Sequence, residues 1–401
     1  MSRHTDFIPF SRPRISHEEE AAVLRVLRSG WVTTGQECLG FERDLAEMVG
    51  VKHALAMNSG TACLHLGLEA MGIKKDDYVI TTPYSFTASS EIIRYLGAHP
   101  YFVDIDKGNF HISSEGIDKC LHSEKKNFKA ILPVHIAGES CDMSAILELA
   151  QKHGLKVLED GAHSFPAKDK EGYFQGTRGD AGIYSFYANK TITTGEGGML
   201  VTNDSTIAER VKIMRLHGID RESWDRYTST KPKWFYQVVE AGYKYNLSDI
   251  LAAIGRVQLT KAMEFLEFRA AIARRYTEEL KELDCLVLPA FSKYHSWHLF
   301  VVSIVSEKLT INRDRFIEVL AEKGIGTSVH FIPLHIMPYY QKTYGFKPED
   351  FPHALDKYQR SFSLPIYPDL GINEQEKIID AIKGICKNHY KKSLAVQKAL
   401  Q

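Results

Sequence analysis

From residue 50 to about residue 245 the chain alternates short apolar runs with helix-like segments, and this alternation constrains the fold more than any other feature. HALAM (53–57) leads through NSGT into a helical pattern ending near Met71, and YVITT (78–82) leads through PYSF into another. AHPYFVDI (98–105) precedes a helical stretch near 114–122, and KAILPVHI (129–136) precedes the helix-like MSAILELAQKHG. LKVLED (155–160), AGIYSF (181–186), GMLVTN (198–203) and a helical pattern near 205–216 complete the series. Strands and helices in alternation imply a largely parallel sheet covered on both faces. Ligands of such sheets bind beyond the carboxyl ends of the strands, so the residues just past each run are the candidate site.

After residue 246 the texture changes. SDILAAIGRVQLTKAMEFLEFRAAIARRYTEELKEL reads as one long helical pattern, continuous or broken. WHLFVVSI (297–304) and GTSVHFI (326–332) read as strands, and NRDRFIEVLAEKG (312–324) and a stretch from about Glu374 as helices. The expected division is a large α/β domain over 30–245 and a smaller α+β C-terminal domain over 246–401, joined by segment 1–29 with its helix near 17–29. A chain of 401 residues suits two such units better than one small core. Fifty basic residues balance fifty acidic ones, so no global field draws in nucleic acid or an anionic membrane. The six cysteines are scattered and form no C-x-x-C pair or disulfide framework. No apolar run approaches the roughly 18 residues of a membrane span, and no leader pattern is present, so a cytoplasmic protein is expected. HEEEA (17–21) lacks the second histidine of a zinc hydrolase motif, and no metal centre is expected.

Four features fall where strand ends converge. NSGTACLHLGLEAM turns from strand to helix through Ser59, Gly60 and Thr61, either an ordinary helix cap or a phosphate cup of free backbone N–H groups. LEDGAH places Asp160 at a strand end, as a helix cap or as a functional carboxylate. PYSF puts Phe86 past another strand, as core or as a flat wall. SFYANKTITTGEGG sets Ser185 at a strand end and Lys190 just beyond it, followed by glycines at 195, 197 and 198. Pyridoxal phosphate accounts for all four together. It needs a lysine for a Schiff base, an acid facing its ring nitrogen, a phosphate cup and an aromatic wall. Lys190 would act as imine-forming amine and then as base, which requires a pKa below the ordinary value of about 10.4.

The assembled motifs resemble the DegT-type sugar aminotransferases, a branch of the fold-type-I pyridoxal-phosphate enzymes. The resemblance runs from FIPFSRPRIS (7–16) through SGWVTTG (29–35), NSGTACLHL (58–66), TTPYSFTASS (81–90), PVHIAGESCDM (133–143), LEDGAHSFPA (158–167) and GDAGIYSFYANKTITTGEGGMLVTND (179–204) to GYKYNLSDILAAIGRVQL (242–259), VHFIPLHIMPYYQ (329–341) and SLPIYP (363–368). It implies that Asp160 faces the ring nitrogen, that His163 lies on the phenolic-oxygen side and that Phe86 stacks on the ring. Thr61 and Ala62 would give backbone N–H groups to the phosphate, with a hydroxyl from Ser185. It also implies a homodimer with shared active sites, in which Lys244 contacts the phosphate held by the partner; many members carry asparagine there, and arginine where this chain has Asn246.

The implied reaction transfers an amino group, commonly from glutamate, to a keto group of a nucleotide-linked sugar, giving an aminosugar for a surface polysaccharide or related glycoside. His330, His335, Tyr339, Arg221 and Trp224 are candidate sugar or nucleotide contacts, with plain packing or surface as the competing reading for each. Two rivals remain within the fold. One is a sugar dehydratase, whose branch carries histidine where this chain has Lys190; the other is a non-catalytic regulatory member.

Overall fold

The computed structural model describes residues 7–220 and 235–391. Seven strands form the main sheet: β1 (His53–Met57), β2 (Tyr78–Thr81), β3 (His99–Phe102), β4 (Phe128–Ile131), β5 (Lys156–Asp160), β6 (Ala181–Ser185) and β7 (Gly198–Thr202). Their order is β1-β7-β6-β5-β4-β2-β3. Strands β2 to β6 pair in parallel, while β7 runs antiparallel to both β1 and β6, so the sheet is mixed and mostly parallel. Both faces are apolar because successive residues point to opposite sides. Leu55, Val79, Leu158 and Leu200 enter one core, and Ala54, Ile80, Val157 and Val201 enter cores on the other face.

Helices α1 (His17–Ser29), α2 (Gln36–Val49), α3 (Gly60–Ala70), α4 (Ala88–Tyr95), α5 (Ser114–Ser123), α6 (Met143–His153) and α7 (Ser205–Met214) accompany this sheet. α3 is buried along nearly its whole length, with Leu64, Leu66 and Leu68 inside the core. Burial of about 1.5–3 kcal/mol per leucine, rather than surface amphipathicity, holds it across the strands. Its central place puts its N-terminus beside the carboxyl ends of β5 and β6.

The long helical pattern after 246 is two helices, α8 (Asp249–Thr260) and α9 (Ala262–Leu280), interrupted at Lys261. The Lys261 ammonium is drawn to Glu18, Glu19 and the Ser16 hydroxyl at the start of α1. α8 packs on α1 and α2, its Asp249 carboxylate accepts the amides of Gly35, Glu37 and Cys38, and Leu247, Ala252 and Leu259 share a core with β1 and β7. Beyond α9 come β8 (Leu286–Val287), β9 (Phe300–Ile304), α10 (Arg313–Glu322), α11 (Pro338–Tyr344), α12 (Pro352–Arg360), β10 (Ser361–Leu364) and α13 (Ile372–His389). The three strands form a small antiparallel sheet, β10-β9-β8, over a second core that includes Tyr276, Phe300, Phe316 and Phe362.

One expected strand is absent. Residues 326–332 make only a single bridge, Ser328 to Ser363. Beyond that bridge the His330 ring turns onto the Ser363 hydroxyl (2.9 Å), Phe331 joins a cavity wall, and Pro333 has no N–H to offer a ladder.

Candidate active site

The strand ends open into a cavity of about 390 Å³ whose walls include Ser59, Phe86, Asp160, His163, Ser185 and Lys190. Each arrives from a different piece of the sheet: Ser59 follows β1, Phe86 follows β2, Asp160 ends β5 and Ser185 ends β6. Lys190 sits on the turn after β6, where its own N–H donates to Tyr187 O (3.0 Å) and a bridge between Tyr187 and Gly195 closes the loop. Burial lowers the Lys190 amine from 10.5 to about 8. The Asp160 charge opposes that shift and the Arg269 guanidinium adds to it, so desolvation outweighs one nearby carboxylate.

Asp160 is held by local chemistry. The Ser89 hydroxyl donates to its Oδ2 (2.7 Å), Ser89 in turn meets the Ser85 hydroxyl (2.7 Å), and the Ala162 N–H donates to Oδ1 (3.1 Å). Burial raises its pKa, while Ser89, Ala162 and the Lys190 charge oppose the rise. Gly161 is required next to it, because a Cβ there would lie 2.7 Å from Ile183 O.

At the start of α3 the Ser59 side chain accepts the Ala62 N–H (3.1 Å), so that amide, implied as a phosphate donor, is occupied by the cap. The first amides of the helix, those of Gly60 and Thr61, have no intrahelical acceptor and lie at the positive end of its dipole. Gly198 of β7 passes so close that a Cβ on it would stand 2.6 Å from Gly60 N, and a Cβ on Gly60 would stand 3.1 Å from that of Ser185. Only small residues let helix start, strand and serine converge.

His163 is buried against His298, ring centroids 4.4 Å apart, and its Nδ1 accepts the Ala137 N–H (3.3 Å). Burial, with the Lys190 charge second, lowers the pKa of both His163 and His298 and takes His330 down to about 4. All three rings are therefore neutral at pH 7. Phe86 is 58% exposed and overhangs the cavity, 6.0 Å between ring centroids from Phe331. Ser89, His298, Phe331 and Asn189 were not singled out from sequence. Only Ser89 had a signal, its position one helical turn past Ser85 after β2.

The profile of the DegT/DnrJ/EryC1/StrS aminotransferase family matches residues 13–383. The chain belongs to this family. It is 41% identical over 390 residues to the spore coat polysaccharide biosynthesis protein SpsC of Bacillus subtilis, covering 96% of this chain and 99% of SpsC. Among solved structures it is similar to Helicobacter pylori PseC, an aminotransferase involved in the biosynthesis of pseudoaminic acid (TM-score 0.86, 30% identity, 96% of this chain and 100% of that one). It is also similar to Spr1654 from Streptococcus pneumoniae in its PLP-form (TM-score 0.87, 28% identity, 95% and 99% covered). This aminotransferase depends on pyridoxal phosphate. The cavity fits that group on its own terms: His298 Nδ1 and Asn189 Oδ1 are buried in the wall without a protein partner, next to hydroxyls, a helix N-terminus and a lowered amine.

Of the candidate substrate contacts, His330 lines this aminotransferase's cavity. His335 does not: it is fully buried, with Nε2 against Pro348 O (3.1 Å) and its ring against Phe351. Tyr339 is half-exposed outside the cavity, near Arg94. Arg221 and Trp224 lie outside the described residues. Lys244 is exposed and also outside the cavity, with its ammonium on the Asn246 side chain. Among the described residues no helix is long and apolar enough to cross a membrane.

Proposed function

We propose that this aminotransferase moves an amino group from glutamate to a keto group of a nucleotide-linked sugar, for an aminosugar of a surface polysaccharide. The observation that carries the reading is the Lys190 amine, lowered to about 8, within electrostatic reach of a buried Asp160 in one cavity. The sugar class draws support from SpsC and PseC, whose names place them in polysaccharide and pseudoaminic acid biosynthesis.

When bound, pyridoxal phosphate supplies an electrophilic carbonyl carbon and a ring that draws electrons from the donor's amine carbon. Asp160 would hold the positive ring nitrogen, Phe86 one ring face and His163 the phenolic-oxygen side. The Gly60 and Thr61 amides and the Ser185 hydroxyl would hold the phosphate. Lys190 Nζ acts first as nucleophile and then as the base that takes a proton from one carbon and delivers it to the next. Both roles use the neutral amine. At a pKa of about 8 roughly one amine in ten is neutral at pH 7, against about one in three thousand at the ordinary value. The Ser85–Ser89 hydroxyl pair keeps the Asp160 carboxylate aimed and opposes the rise in its pKa that burial causes. Lys244, exposed and outside its own cavity, is assigned to the phosphate site of a partner subunit in a homodimer.

The test is a half-reaction followed by a screen. Glutamate should convert the bound cofactor to its amine form, seen as a change in visible absorbance, and keto sugars on uridine, guanosine or thymidine diphosphate carriers should reverse it. Conversion by another amino acid but not by glutamate would overturn the donor. Conversion by glutamate with no reversal by any nucleotide keto sugar would overturn the substrate class.

A further inference from the structure

The amino ends of the main-sheet strands, opposite the cavity, carry a cluster that the aminotransferase chemistry does not use. Asp118 and His122 stand one turn apart on α5, and His153 is the last residue of α6. One donor atom from each lies within 4.8 Å of the other two. We infer that Asp118, His122 and His153 form a binding site for a divalent transition cation of the zinc class, clamping the ends of α5 and α6.

Four observations support this. First, the His153 Nε2 atom is buried and has no hydrogen-bond partner, an arrangement that costs about 1–3 kcal/mol when left unmet. Second, His122 Nδ1 stands 2.8 Å from the Asp118 carbonyl oxygen and 3.3 Å from its Oδ1. A proton on that nitrogen fixes the ring and leaves Nε2 bare for a metal, the usual outer-shell arrangement of a ligating histidine. Third, the cluster sits at two helix C-termini, where the dipoles favour a cation. Fourth, the helices beneath are fixed: Ile117 and Cys120 of α5 pack with Ile146 and Ala150 of α6, and α6 ends at Gly154 in a left-handed conformation (φ 65°).

Two imidazoles and one carboxylate form a mixed nitrogen and oxygen set that suits zinc and its neighbours, and three protein ligands leave a fourth position for water. Donors on a tetrahedral zinc stand about 3.3 Å apart given bond lengths near 2.05 Å, so roughly an ångström of side-chain rotation completes the set. Magnesium and calcium prefer all-oxygen shells and are not expected to bind. The site is at the far end of the sheet from Lys190, so it is structural rather than catalytic.

The experiment uses the full chain with pyridoxal phosphate bound, stripped by chelator and titrated with zinc chloride in a calorimeter, with metal content measured after dialysis. The expected result is one zinc per chain, binding weakened at least tenfold by His122→Ala and by His153→Ala, no magnesium binding, and aminotransferase activity within twofold of the parent in both variants. His122 is exposed, so a loss there is not a folding failure. Absence of saturable zinc binding, or binding retained by the folded double variant, overturns the site.

Discussion

The carboxyl ends of β5 and β6 and the segment from Gly326 to Gln341 border the same cavity, but they hold their side chains by different means. Asp160 and Ser185 are the last residues of paired strands, with Leu158, Glu159 and Asp160 in register against Ala181, Gly182 and Ile183. Sheet register brings them to the cavity, and the Ser89 hydroxyl and Ala162 N–H then aim the Asp160 carboxylate. The second segment has one bridge, so each residue goes where tertiary packing sends it: His330 into the cavity wall, His335 into the core below Pro348, and Tyr339 outward. Residues five apart in a strandless segment share no face by rule, whereas residues on a strand's end do.

That contrast can be broken most sharply at Lys190. Lys190→Ala should reduce kcat by about 10⁴-fold, measured with saturating glutamate, while leaving the melting temperature unchanged or higher, since a desolvated amine is removed. Asp160→Asn keeps the shape but not the charge, and should cost about 10²–10³-fold in kcat. A loss under tenfold would mean that the strand end positions rather than ionises. On the second segment, His330→Ala should lower kcat/KM for the sugar by about tenfold with little change in stability. His335→Ala should do the reverse, costing about 2 kcal/mol of folding stability and leaving KM untouched. If the two histidines behave alike, the contrast fails. The smallest expected effect is at Ser89→Ala, a few-fold loss in kcat as Asp160 loses its 2.7 Å hydrogen bond and its pKa rises further.

The strand periodicity placed all seven runs of the main sheet, because a strand buried on both faces leaves an apolar signature that no loop imitates. The lining of the cavity at its ends was legible for the same reason: Gly60 follows β1, Asp160 and Ser185 end β5 and β6, and Lys190 follows β6. The capping of Ala62 by Ser59 depends on one rotamer and carries no pattern. His298 reached the wall through a loop whose course is set by packing, and Asn189, beside Lys190 on its turn, carried no pattern of its own. At the break, the Lys261 ammonium meets Glu18 and Glu19, charges far back in the chain that a local helical pattern does not report. His122 and His153 are 31 positions apart and meet only because α5 and α6 pack side by side.

Lys190, its amine lowered to about 8 by burial, is the residue proposed to receive the cofactor. The direct measurement is the rate at which cofactor-free protein gains visible absorbance on addition of pyridoxal phosphate between pH 6 and 10, followed by borohydride reduction and peptide mass spectrometry. The neutral amine is the reacting form, so the rate should rise with pH, bend near 8 and level off above it, with the reduced adduct on Lys190. A bend near the ordinary lysine value, or an adduct on any other lysine, would contradict the account.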